Sequence, residues 1–187
     1  MNRRDAVQYI SLLLGGTLIG GNAFLTGCKS ETGVKAAFSA DDIAYLDEIA
    51  NTILPDTASS PGAKAAKVGQ FMTVMVNDCY EAKDQKIFHE GMNKLNDFSN
   101  KTYSSDFMKL NDQQKHDLLV KLDAEQKGYM KGKKKEDPSH YFRMMKELTM
   151  LGFFTSEIGA TKARRYMETP GKYDGAYPYK KGDKAFA

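Results

Sequence analysis

Apolar residues recur at helical spacing in five stretches of this chain, and no stretch alternates apolar and polar residues as a half-buried strand would. That pattern predicts an all-α fold: a compact bundle of about five helices followed by an irregular C-terminal tail. Ordered structure is expected from Ser39, which caps the first helix, with Asp42 three residues later closing a capping box. Ile43, Leu46, Ile49, Ala50 and Ile53 give that helix its apolar stripe, Asp41, Asp47 and Glu48 can face water, and Pro55 ends it. After the turn-rich run Pro55–Ala63, a second helix is expected from near Lys64, with Val68, Phe71, Met72, Met75, Val76 and Cys79 on one buried stripe. A third runs from about Lys83 to Asn100, weakened modestly by Gly91. The fourth starts at the Asn111 cap, carries Leu118, Leu119 and Leu122, and fades before Gly128. Pro138 fits the first turn of the fifth, whose apolar side includes Tyr141, Phe142, Met145, Leu148, Leu151 and Phe154. From Gly152 onward Gly, Pro, Tyr and Lys dominate, a composition suited to lying along a surface.

The N-terminal stretch is of another kind. Between Ala6 and Gly27 there is no Asp, Glu, Lys or Arg, and Arg3-Arg4 stand just before this run. Residues 1–27 therefore read as a targeting segment, and its end, Leu25-Thr26-Gly27-Cys28, resembles a bacterial lipobox in which Cys28 receives lipid and becomes the first mature residue. An uncleaved membrane anchor is the other reading, because about 20 apolar residues span a bilayer, although the glycines and Asn22 weaken such a helix. Arg3 and Arg4 with the residues after them resemble a twin-arginine export signal; a plain secretory n-region is also basic. Residues 28–37 are small and polar, a tether to the folded domain of residues 38–187. These features place the chain in a bacterial envelope, lipid-anchored and facing the periplasm.

Composition narrows the chemistry. The chain has 187 residues with 27 Lys and Arg against 24 Asp and Glu, a net charge of +3, which is too small for an electrostatic nucleic-acid binder. Two cysteines cannot build a four-cysteine metal site, and with Cys28 lipidated only Cys79 remains, assigned to the core. His89, His116 and His140 are far apart in sequence and match no metal-binding motif, so each is expected at the surface or a helix edge. There is no glycine-rich phosphate loop, and acids such as Asp41, Asp42 and Asp112 are accounted for by helix caps and the helix dipole. No catalytic residue, metal ligand set or cofactor site is expected in this chain. The basic run Lys127–Lys135 is read as a solvated loop, with a docking patch for an acidic partner or lipid headgroups as the alternative.

Two groups of residues carry a family resemblance. Ile53-Leu54-Pro55-Asp56, then Ser60-Pro61-Gly62-Ala63 and a helix led by Val68 to Phe71, resemble the opening of the gluconate 2-dehydrogenase subunit 3 family. Leu148-Thr149-Met150-Leu151-Gly152-Phe153-Phe154-Thr155-Ser156-Glu157, with Gly159 and Pro170-Gly171-Lys172-Tyr173, is similar to its C-terminal signature. The lipobox and the lack of tryptophan depart from the best-known members. The resemblance implies a small, cofactor-free helical subunit that escorts, stabilises or anchors a flavin-dependent sugar or polyol dehydrogenase of the glucose-methanol-choline type. FAD is then expected in the large partner, and a cytochrome c subunit accepts electrons in some complexes. Phe153, Phe154, Tyr173 and Tyr177 are the partner-contact candidates, with core packing or packing on the parent domain as the alternative. An independent envelope lipoprotein binding a ligand or envelope component is the competing functional expectation.

Overall fold

A computed structural model describes residues 38–169 and 171–186. Cys28, Arg3, Arg4, the targeting segment and the tether lie outside these residues. Among those described, five α-helices carry the fold: α1 Ala40–Ile53, α2 Val68–Cys79, α3 Ala82–Tyr103, α4 Asp112–Gly132 and α5 Tyr141–Thr155. A 3₁₀ turn at Phe107–Lys109 precedes α4, and a π-helical turn at Gly159–Ala163 follows α5. Among the described residues, two isolated bridges, Thr57 with Ser60 and Arg165 with Phe186, stand outside the helices.

Helix α5 is the hub: it packs against α1, α2, α3, α4 and the π-helical turn. It buries Tyr141, Phe142, Met144, Met145, Leu148, Thr149, Gly152 and Phe153 along its length. Two glycines set how closely its neighbours approach. A Cβ on Gly91 of α3 would enter the Tyr141 ring, 2.6 Å from its Cγ, and a Cβ on Gly152 would stand 2.5 Å from the Phe71 ring of α2. Gly91 is thus more than the modest helix weakness its sequence position suggests.

Polar groups fix the connections. Ser39 accepts from the Asp42 N–H while Asp42 accepts from the Ser39 N–H at 2.9 Å, the expected capping box, and Asn111 with Gln114 forms a second. The turn between α3 and α4 is held by Asn96, whose side-chain oxygen accepts from the Phe107 N–H at 3.0 Å and whose amide donates to Asp106. Phe107 is thereby driven fully into the core, edge-on to Tyr45. Glu48, expected in water, instead joins α1 to α4: Lys115 Nζ lies 2.8 Å from its carboxylate, with only 9% and 16% of the two side chains exposed. The hydrogen bond from Lys115 holds the Glu48 carboxyl below its usual range despite burial, and Lys64 adds a second contact at 3.1 Å.

Several sequence expectations change here. The second helix starts at Val68, four residues later than Lys64, because Lys67 adopts φ 54° and breaks the helical path. Cys79 is exposed rather than core, since it is the last residue of α2 and the buried stripe ends at Val76. Helix α4 continues through Gly128 to Gly132, so Lys127 and Lys131 of the basic run are helical. Pro138 stands outside α5, whose cap is His140. Leu151 is 46% exposed, while Met144 and Phe153 take the buried positions.

His140 accepts from the Phe142 N–H through Nδ1 at 3.2 Å, which requires a neutral imidazole. Its ring stacks on Tyr141 and tilts against Tyr129, and burial lowers its pKa, opposed by Glu125 at 3.6 Å and assisted by Lys94. A histidine with a depressed folded pKa gives stability that is fully present above its unfolded pKa of about 6.5 and is lost as pH falls through the folded value. Denaturant titrations across this range should show a steeper loss for the wild-type protein than for His140→Asn, which keeps a cap but cannot titrate; equal losses would contradict the capping role. In the same assay Gly128→Ala, where a Cβ meets nothing within 4 Å, should gain about 1 kcal/mol of helix propensity. Gly91→Ala should instead lose stability, because overpacking costs about 1–3 kcal/mol.

Candidate docking surface

The C-terminal end of α5 is closed by a compact polar knot. The Ser156 hydroxyl donates to the Phe153 carbonyl at 2.6 Å and accepts from the Gly159 N–H at 3.0 Å. This brings the chain so close to the helix end that a Cβ on Gly159 would lie 2.7 Å from the Phe153 carbonyl carbon, a contact only glycine avoids. The π-helical turn then presents two adjacent arginines. Arg164 donates to the Phe154 carbonyl and sits over the Phe154 ring, 5.3 Å from its centroid. Arg165 donates its backbone N–H to the Ala185 carbonyl at 2.8 Å, which ties the far end of the tail back to the turn.

Around that tie the tail builds an aromatic and basic cluster. The Arg165 guanidinium lies 3.9 Å over the Phe186 ring and 5.4 Å from the Tyr177 ring, and those two rings meet edge to face. Lys184 donates to the Ser59 carbonyl at 3.3 Å and also to the Lys162 carbonyl, linking the tail to the loop after α1. Arg164 and Arg165 each have a buried Nε with no hydrogen-bond partner. Tyr173 and Tyr179 project outward, 95% and 74% exposed.

The four contact candidates divide accordingly. Phe153 is 4% exposed and belongs to the chain's own core, so it offers no surface to a partner. Phe154 is partly buried between that core and Arg164. Tyr173 and Tyr177 are exposed, and Tyr177 belongs to the Arg165 cluster. Arg164, Arg165, Lys184 and Phe186 were missed as a group; the signal that could have found them is the density of cations and aromatics after Lys162.

The passage from α1 through its loop into the start of α2 is equally tight. Asp56 accepts from the Gly62 N–H and Asp47 from the Gly69 N–H, both at 2.7 Å. A Cβ on Gly62 would lie 2.7 Å from the Leu54 carbonyl oxygen, and one on Gly69 2.5 Å from the Ile43 carbonyl oxygen.

Two small concavities lie among the described residues. A groove of about 250 Å³ lies between α3, α4 and Tyr141, and another of about 230 Å³ between α1, α4 and α5 includes His116, Asp123 and Lys146. Both fall below the usual range of about 300–1,000 Å³ for small-molecule sites. Asp123 is committed to structure: burial raises its pKa, but hydrogen bonds from Lys127, Lys146 and Gln126 outweigh this and bring it to about 2. His89 stacks on Phe38 at 4.2 Å. Among the described residues no three His, Cys, Asp or Glu side chains gather as a metal site would require, and no helix is long and apolar enough to cross a membrane.

The described residues form an all-α body with two tight glycine-containing motifs and an aromatic–basic tail. The gluconate 2-dehydrogenase subunit 3 family model matches residues 40–171, and the chain belongs to that family. No curated protein and no solved structure matches it. The match begins at the first residue of α1, includes both loop motifs and the π-helical turn, and stops within the tail.

Proposed function

We propose that this chain is a non-catalytic small subunit that escorts, stabilises or membrane-anchors a flavin-dependent gluconate or sugar dehydrogenase in the bacterial periplasm. Membership of the gluconate 2-dehydrogenase subunit 3 family over residues 40–171 carries this reading. The geometry supports it: the polar groups of the body close caps, turns and ion pairs, and the tail offers exposed tyrosines for contact with another protein. In this account FAD and substrate chemistry belong to the large flavoprotein subunit, and a cytochrome c subunit receives electrons where one is present. Cys28 supplies the lipid anchor, and Arg3-Arg4 direct export by a route that carries proteins already folded.

The role of the body is then mechanical. Its helices hold the end of α5 and the tail at a fixed angle, and the partner reads that surface. Lipid on Cys28 and a tether of residues 28–37 would keep the complex within about 35 Å of the membrane, the reach of ten extended residues. The chain, affinity-tagged in its native host and captured after mild solubilisation, should bring down a flavoprotein dehydrogenase in near-equal amount. Capture of the folded chain without any dehydrogenase, together with unchanged dehydrogenase activity in a deletion strain, would sink this reading and favour an independent envelope lipoprotein.

A further inference from the structure

Charge is unevenly divided along the described chain. Residues 38–160 hold 16 Lys and Arg against 19 Asp and Glu, whereas residues 161–186 hold seven against three. The body is thus net negative and the tail net positive by four charges. In the body nine of the sixteen cations pair with acids, among them Lys115 and Lys64 on Glu48, Lys127 and Lys146 on Asp123, and Arg143 on Glu147. In the tail, among the described residues, no Lys or Arg forms an ion pair. Two of the three tail acids are already engaged by backbone: Asp174 accepts from the Ala176 N–H and Asp183 from the Lys180 N–H.

An arginine stacked on aromatic rings is held in place without its charge being answered. Arg165 lies over the Phe186 ring and beside the Tyr177 ring with its Nε buried and unpartnered, so a carboxylate that meets its planar fork does so through the two terminal nitrogens, by two parallel hydrogen bonds. Rigid Arg and Tyr side chains are also the residue types that dominate protein–protein hot spots. A membrane is the weaker candidate for this surface. Among the described residues the tail has no amphipathic helix to lay into the acyl boundary, and its conformation is set by turns and the Arg165–Ala185 tie.

We propose that the aromatic–basic face of residues 161–186, centred on Arg165, docks on an acidic, carboxylate-bearing protein surface of the dehydrogenase's large subunit. This rests on the functional reading above and gives it a location and a chemistry. Carboxylates of the partner meet Arg165 and the exposed Lys172, Lys180 and Lys181, while Tyr173 and Tyr179 supply apolar contact around them. Such an interface is salt-sensitive, because rim charges act through partly screened fields.

The test uses the full-length tagged chain, in its native host, with retained dehydrogenase measured at low salt and at about 0.5 M salt, where the screening length is only a few ångströms. Wild type should retain dehydrogenase at low salt and lose most of it at high salt. The triple reversal Lys172→Glu, Lys180→Glu, Lys181→Glu should lower low-salt retention by about tenfold or more. Arg165→Lys, which keeps the charge and loses the planar fork, should weaken it as well. The matched reversal Lys131→Glu, Lys134→Glu, Lys135→Glu should retain dehydrogenase as wild type does. Helical melting of each variant, read by circular dichroism, should match wild type, so that lost retention reports the surface and not the fold. Wild-type retention by the tail reversal, or equal loss in the matched reversal, overturns the proposal while leaving the functional reading standing. Tail-dependent binding of the purified chain to phosphatidylglycerol vesicles, with dehydrogenase retention unaffected by the tail reversal, overturns it in favour of a membrane. A wild-type chain that captures no dehydrogenase removes the functional reading itself, and this proposal with it.

Discussion

The structure depends on α5 lying closer to its neighbours than ordinary side chains permit. Gly91 lets the Tyr141 ring rest on the α3 backbone, and Gly152 lets the Phe71 ring rest on α5. Without those approaches the first and last turns of α5 would stand away from α3 and α2, and the buried row from Tyr141 to Phe153 would lose its partners. The position of α5 then fixes where the chain leaves it. Ser156 and Gly159 fold the exit against the helix end, and Arg164 and Arg165 follow at a defined place.

The residues that carry the family resemblance are mostly residues this packing requires. Gly62 and Gly69 sit where a Cβ would strike backbone carbonyl oxygens, and their N–H groups are claimed by Asp56 and Asp47. Gly152 and Gly159 play the matching role at the other end. These glycines and aspartates are structural, and Glu48 and Asp123 close ion pairs between helices. In the proposed complex, what another protein recognises is the tail those turns hold out, with its net positive charge.

Much of the helical body was legible in the sequence because its core is written at a spacing of three and four residues. The Ser39–Asp42 capping box and the termini of α3 follow from local chemistry and stand within a few residues of expectation. What was not legible depended on distant partners. Glu48 looks solvent-facing until Lys115, far along the chain, is brought beside it. Cys79 sits at the right spacing for burial, but α2 ends there and the core does not extend past Val76. Spacing also sets Leu151 with Leu148 and Phe154 on the apolar side, whereas in the fold Leu151 is exposed and Phe153 is buried. The tail is the extreme case: no periodicity links Arg165 to Phe186, and only the fold-back through Ala185 brings them together.

In the proposed complex this chain is the holder and its partner the catalyst. The direct measurement is to purify the complex, separate its subunits, and record flavin absorbance and gluconate oxidation with an artificial electron acceptor for each fraction. All of the flavin and all of the turnover should travel with the large subunit, and this chain alone should be colourless and inert. A flavin spectrum or substrate turnover in the fraction containing only this chain would contradict the account.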